Sequence, residues 1–585
     1  MIRMRSLVIC LLMLSWSSSA WSALAVWPGP RRDVRAFGAK GDGVNDDTRA
    51  IQAAIDSLPR SGGTVVLPPG IYRSGNLLVS NCEGVRLLGV GATVRLFGKS
   101  PPPGYVGIQL HGTLRRVAIE GLSILGDGQV ESRHAGLWMT TASHDMVNMT
   151  VRDCKVRSVV NGIRFDNTMG RLTEILIEGN LVEHCVGTQP GEGYGIVHSN
   201  GGRTAGAAVI LGNTIVGAQR HSIYQSAGSG AKILGNHIID HRLGVADGRL
   251  RAAIAIARSR DVFVAGNKLD RCADATLSIE PSESDLASPS GRVRVTGNVF
   301  VNSPGRDIWV GAEVVGPGTG RLEQVVIEHN VFSSPSDPTN RTESIRIADG
   351  KHVIIRDNLF VANQGFRVPY AAIVATALNG SRLDGLDIGW NVARFSAGEG
   401  GSVALVELGA EIASGDRAVT IRGQGLSSTT SPSLLVKTGP RTNPNLFVES
   451  PETTKGRSET PHLDLPPLRA ERATHRGDRS AKTRPGEDLI FRPSFRSVPL
   501  VIALFRAQSV PPGPPFILVR VGTSIGLLGT ISSSDNPPTK TSRIEKLQTR
   551  SFILLLSDRQ PPWLGRAGAS KFGGFLVATC FWLMS

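Results

Sequence analysis

Aromatic residues make up only 5% of this 585-residue chain. No basic run alternates with them, so the formal charge of +15 does not carry the pattern of a nucleic-acid binder. The anionic partners left open by the charge are an acidic polysaccharide or a membrane surface. Long apolar runs are missing too. After the N-terminus no segment reaches the ~18 to 20 apolar residues that a membrane-spanning helix needs. Cysteine is scarce, with six residues. Cys82, Cys154, Cys185, Cys272 and Cys580 are widely scattered and Cys10 lies in the first apolar stretch. None forms a C-x-x-C pair, which leaves isolated buried thiols rather than a metal site or a disulfide framework.

Glycine is abundant. Its 68 copies, together with few aromatics, imply many tight turns joining short strands, hence an all-β plan. At the N-terminus, Arg3 and Arg5 precede LVICLLML, and the small residues of SSSAWSALA follow. This is the order of a secretory signal, so residues 1–25 are expected to direct export to a periplasmic or extracellular location.

The chain repeats itself. ILIEGNLV (175–182), VILGNTIV (209–216), KILGNHII (232–239), VFVAGNKL (262–269), VRVTGNVF (293–300), VVIEHNVF (325–332) and VIIRDNLF (353–360) share a β-branched run, an Asn and a second apolar pair. The asparagines are Asn180, Asn213, Asn236, Asn267, Asn298, Asn330 and Asn358, with Asn391 continuing the series and Asp153 expected to precede it. A second strand recurs between them, as in GLWMT (136–140), GIRFD (162–166), SIYQS (222–226), AIAIA (253–257) and SIRIA (344–348). Two strands per period and no helical pattern describe stacked coils, a right-handed parallel β-helix in which no unit buries its apolar face alone. Asn tolerates left-handed backbone, so a turn repeated in every coil is expected to stack Asn on Asn as a structural ladder.

Residues 33–56, DVRAFGAKGDGVNDDTRAIQAAID, concentrate Gly, Asp and Asn before a short apolar-periodic run. Asp46 or Asp47 is expected to cap a helix whose apolar positions are Ile51, Ala54, Ile55 and Leu58. Lying across the first coil, such a helix would cover its open end. Clustered oxygens at Asp42, Asn45, Asp46 and Asp47 leave calcium open, without EF-hand spacing. With GGTVVLPPGIYRSG, this stretch resembles the N-terminal signature of the pectate-lyase superfamily, the rhamnogalacturonase and epimerase-like β-helix domains. The resemblance implies the fold. It leaves lyase, hydrolase, epimerase and inactive members all open, and monomer against tailspike-like trimer.

Aligning the second strand set places Gln109, Trp138, Arg164, Val197, Tyr224, Ala255, Ser278, Trp309 and Arg346 in one outward column. The next outward column holds His111, Asp166, Ser199, Ser226, Ala257 and Glu280. A shallow groove of this composition would suit an acidic glycan, with Trp138 and Trp309 against sugar rings and Asp166 and Arg346 as polar contacts. For elimination from a uronate, Arg164 would neutralise the substrate carboxylate, and Tyr224, His198 or His221 would handle the proton. In this register His198 and Gln225 point inward, unless a bulge in GYGIVHSN turns the histidine out. GYGIVH resembles the Tyr-Gly-x-Asp-x-His pattern of mannuronan epimerases but lacks its Asp, so no role is transferred. Asp166 and Glu280 are four coils apart, about 19 Å at the spacing of sheet strands, too far for a glycosidase pair. The G-H-G and R-I-K motifs expected of polygalacturonase-like hydrolases are also absent. The leading expectation is a lyase-type depolymerase; a non-catalytic glycan-binding or adhesin-like protein and a hydrolase are the alternatives.

The β-helix is expected over 26–430, and residues 431–487, rich in Pro and in charges of both signs, should form a linker. Residues 488–585 carry LIFRPSFRSVPLVIALFRA and FILVRVGTSIGLLGTI, compatible with a small β module or a poorly ordered tail.

Overall fold

The computed structural model describes residue 27 and residues 29–448, apart from 102–103, 140–143, 168–169, 188–190, 201–205, 242–251, 274, 282–289, 312–321, 334–341, 363–368, 377–382, 396–401, 410–417, 429–432 and 439–445, with four short strands beyond. Residues 1–25, and most of the expected linker, lie outside the described residues. The chain divides into two compact units, Met1–Thr460 and Pro461–Ser585. In the second, Phe516–Val521 pairs antiparallel with Ser524–Thr530, and Leu555–Leu556 with Ala578–Thr579.

Three strands per coil build the first unit. One coil runs Tyr194–Asn200, Ala208–Leu211 and Thr214–Val216, and the next begins at His221–Ser226. Every pairing in the stack is parallel and joins a strand to its counterpart one coil away, which gives three long faces. On the third face 14 strands stack in order. The first two faces are joined by Val106–Glu120, a strand long enough to run through both. The pairing continues through Ser433–Thr438 and Leu446–Val448, past the boundary expected near residue 430.

Alternation along each strand decides what goes inside. Ile163, Ile196, Ile223, Ile254, Leu277, Ile308, Ile345 and Ile373 follow one another rung by rung and have no solvent exposure. On the third face Phe300, Phe332 and Phe360 form an inner stack with ring centroids 4.8 Å apart, the spacing of the strands themselves.

Between the second and third faces runs the asparagine ladder. Each Oδ1 accepts the backbone N–H and the Nδ2 of the Asn one coil earlier, from Asn180 through Asn213, Asn236, Asn267, Asn298, Asn330 and Asn358 to Asn391, at 2.9 to 3.1 Å. Two details correct the sequence reading. The left-handed residue is the one before the Asn, as at Gly179 (φ 63°), Gly212 (φ 61°) and Asp357 (φ 55°), so the Asn side chain is free to turn into the core. Asp153 (φ 55°) occupies that preceding position, and the first member is Cys154, whose N–H donates to Asn180 Oδ1.

At the N-terminal end lies helix α1, Thr48–Asp56, with Ile51, Ala54 and Ile55 buried against the first coils. Asp46 caps it, accepting from the Thr48 N–H at 2.9 Å. Asp47 does not: it is buried and holds the preceding loop through the N–H groups of Lys40 and Gly41. Gln52 sets its amide against the main chain of Leu78, accepting from its N–H at 2.8 Å and donating to its carbonyl at 3.0 Å. The helix thereby occupies backbone groups of the first strand of face one, Leu77–Glu83, that would otherwise offer a sheet edge. Asp42 accepts from Val44, Asn45 and the Asn45 side chain. These local bonds, with the Asn45 and Thr48 contacts foremost, hold Asp42 and Asp46 below the usual carboxylate range. The acidic knot is thus a folded loop and helix cap. Among the described residues there is no group of three or more His, Cys, Asp or Glu arranged to hold a metal ion.

Candidate glycan-binding face

The outward column read from the sequence exists in register. Gln109 pairs with Trp138, Arg164 with Val197, Val197 with Tyr224, and the series continues through Ala255, Ser278 and Trp309 to Arg346. The column expected to line a shallow groove is largely buried, however. Trp138, Val197, Ala255, Ser278 and Trp309 are all buried, Ala255 and Trp309 in one cluster against which Tyr224 packs, while Arg164, Tyr224 and Arg346 are half-buried.

One cluster stands out on this face. The rings of His221 and Tyr224 stack with centroids 5.2 Å apart and planes 19° apart. Tyr194, paired with His221 from the preceding coil, lies 5.4 Å from His221 and 5.5 Å from Tyr224. The Arg220 guanidinium lies 5.9 Å from the Tyr194 ring centre. His221 Nδ1 is 2.8 Å from the Ala252 carbonyl, which only accepts, so Nδ1 carries the proton and Nε2 is the basic nitrogen of the neutral ring. Burial pushes the Tyr194 hydroxyl above its ordinary value, against the Arg220 charge, and keeps it protonated at neutral pH.

Arg164 is less available than expected. It donates to Asp166 Oδ2 at 2.6 Å and to the Gly191 carbonyl at 2.8 Å. Burial alone would lower its pKa, and the Asp166 charge more than offsets that. Asp166 is therefore a partner of Arg164, and its column reaches Glu280 only through Ser199, Ser226 and Ala257. Ser278 donates to Glu280 at 2.7 Å.

The two tryptophans expected as sugar platforms are packed into the protein. Trp309 donates to the Gly311 carbonyl at 3.0 Å and is covered by the Arg306 guanidinium, 4.8 Å from its ring centre. Arg306 and Arg346 both pair with the buried Glu343, at 3.0 and 2.9 Å. Burial would raise the Glu343 pKa, but the Thr342 hydroxyl and the two guanidiniums hold it low. Trp138 meets Tyr105 edge-on, ring centroids 5.4 Å apart.

His198 lies inside, correcting its expected place among the proton-transfer groups. The pairing through Ile196, Val197, His198 and Ser199 has no bulge, so His198 is fully buried in the core. Its Nδ1 donates to Gln225 Oε1 at 2.9 Å, and the Nε2 atoms of both residues lack a partner. Burial pushes the His198 pKa down to about 4. The unfolded chain therefore takes up a proton near 6.5 that the folded chain refuses until about 4. This contribution is fully present above 6.5 and is lost as pH falls toward 4, a change of order 3 kcal/mol. Replacing both residues by leucine, His198→Leu with Gln225→Leu, is expected to leave stability at pH 7 equal or higher and to flatten its decline between pH 6.5 and 4 in urea unfolding, because two unsatisfied polar atoms leave the core together.

The described cysteines are free, as the sequence suggested. Burial pushes Cys154, Cys185 and Cys272 up to about 12 and Cys82 to about 11, which makes them inert at neutral pH. Sequence reasoning met Tyr194 in GYGIVH but gave it no role, and did not single out Arg220, Arg306 or Glu343. Tyr194 was visible as the first residue of its strand, but its approach to Tyr224 depends on turn lengths that no local pattern reveals.

Stacked coils of this kind, with an acid-capped helix over one end, define a right-handed parallel β-helix protein. Residues 31–276, about two fifths of the chain, match the family model Rhamnogalacturonase A/epimerase, pectate lyase-like, which is consistent with the right-handed β-helix fold. A 71-residue stretch is 46% identical to alginate lyase 7 of Azotobacter vinelandii, covering 11% of this chain and 8% of that protein. A 42-residue stretch is 64% identical to the same organism's mannuronan C5-epimerase AlgE6, covering 7% of this chain and 5% of that one. The chain thus matches less than a tenth of the length of either relative. The solved A-module of AlgE6 superposes with a TM-score of 0.42 at 16% identity, over 72% of this chain and all of that one. Among the described residues no helix is long and apolar enough to cross a membrane.

Proposed function

We propose that this is an exported protein acting on polysaccharide, and specifically a lyase-type depolymerase of an acidic, uronate-containing glycan. The observation that carries the reading is the cluster of His221, Tyr224 and Tyr194 beside Arg220 on the outer face. His221 Nε2 removes the proton on C5 of the uronate, the Tyr224 hydroxyl protonates the leaving glycosidic oxygen, and the C4–O bond breaks as the C4–C5 double bond forms. Arg220, with Arg164 two coils away on the same face, places positive charge where the substrate carboxylate must be neutralised. The alginate-directed names of the curated relatives support an acidic substrate. Hydrolysis by Asp166 and Glu280 is disfavoured by the four rungs between them, about 19 Å. The engagement of Arg164 by Asp166 favours a second reading, a non-catalytic glycan-binding or adhesin-like β-helix.

A panel of alginate, polygalacturonate, hyaluronan and neutral glycans separates the readings. The lyase reading expects ultraviolet-absorbing unsaturated uronate from at least one acidic polymer. Reducing ends without that absorbance would establish hydrolysis, and binding without either product would establish the adhesin-like alternative.

A further inference from the structure

A cavity of about 310 Å³ opens where face one begins. It is lined by Gln109 and Trp138, the first paired members of the outward column, by Asn76, by residues 97–100 and by Tyr105 and Val106. None of the residues discussed for proton transfer lines it. Three aromatic rings meet there: Phe97, backed by the Arg73 guanidinium at 3.8 Å, Tyr105, and Trp138 edge-on to Tyr105. Asn76 and Gln109 join their amides at 2.7 Å, and the exposed Lys99 stands at the rim. Trp138 is only 5% exposed, and its indole N–H has no hydrogen-bond partner.

From this arrangement we infer that the cavity is a binding subsite for one acidic sugar residue, placed at the end of the groove away from the proposed chemistry. The assignment of an acidic sugar rests on the function proposed above; the cavity and its unsatisfied donor do not. The half-buried Phe97 ring takes a face of a pyranose, the side-chain amides take its hydroxyls, and Lys99 at the rim takes one carboxylate. Trp138 and Tyr224 share a column and are three rungs apart, about 14 Å, so a glycan lying along the face reaches both. The subsite therefore anchors a chain end or an inner residue while cleavage happens further along.

The test is titration of the full chain with sodium glucuronate, a mannuronate tetrasaccharide, glucose and benzoate, read by calorimetry and by indole fluorescence. The uronates are expected to bind and to change the fluorescence, and Trp138→Phe is expected to abolish the fluorescence response. Lys99→Gln, on an exposed residue that leaves the fold intact, is expected to weaken uronate binding about tenfold, the loss of one charge-assisted contact. Equal binding of glucose and glucuronate, unchanged uronate binding in Lys99→Gln, or a stronger response to benzoate would each overturn the inference. Uronate binding that depends on Trp138 without any unsaturated product would sink the lyase reading and leave the subsite standing. Product formation with no response at Trp138 would do the reverse.

Discussion

Alanine in place of Asn267 is expected to lower the stability of the solenoid by about 3 kcal/mol or more, measured as a drop in the urea midpoint at pH 7. The Asn267 Oδ1 accepts from the N–H and the Nδ2 of Asn236, and its Nδ2 donates to the Ile233 carbonyl and to Asn298 Oδ1, all at 2.9 Å. Alanine leaves the Asn236 N–H and the Ile233 carbonyl without these partners in a site with 1% exposure. Each buried polar group so orphaned costs about 1 to 3 kcal/mol. Asn267→Asp sharpens the test. Its second oxygen would face two acceptors, and burial would raise its pKa above the unfolded value of about 3.9. The folded variant then binds more protons than the unfolded one, so its deficit should shrink as pH falls and grow as pH rises through that raised value. An Asn267→Ala protein as stable as the parent would show that strand pairing alone holds the coils.

On an acidic glycan that the parent protein cleaves, His221→Gln and Tyr224→Phe are each expected to reduce kcat/KM by about 10² to 10⁴-fold, the usual range for a lost acid or base. Tyr224→Phe keeps the ring that stacks on His221 and removes only the hydroxyl, so thermal unfolding should be little changed. Initial rates of unsaturated-uronate formation give the measurement. Full activity in both variants would remove this cluster from the chemistry whatever the substrate. Combining the two substitutions should cost little more than either alone, because the groups act on one elimination.

The architecture was readable because a parallel β-helix writes its own spacing. Asparagines at intervals of 23 to 33 residues and the flanking strands fixed which residues would become neighbours, and the column from Gln109 to Arg346 forms as read. What the pattern could not supply were features set by turns. The left-handed residue was assigned to the Asn itself, although Gly recurs immediately before it and is the better-suited residue. Asp46 and Asp47 were both read as possible caps because their sequence positions permit it; Asp46 takes the role, whereas the Asp47 carboxylate turns back to Lys40 and Gly41. Burial of the outward column was missed for a related reason: alternation tells which side of a strand a residue occupies, not what the connecting segments place over it. The pairing of Arg306 and Arg346 with Glu343 joins residues 37 and three positions apart, a geometry that follows from the fold and not from any local motif.

Because strand pairing joins each coil only to the coil before and the coil after, the architecture is modular along its axis. Duplicating or deleting one complete coil changes the length of the solenoid by a single step and leaves the helical plug at Leu78 as it was. The length of each face is therefore open to evolutionary adjustment in whole-coil increments.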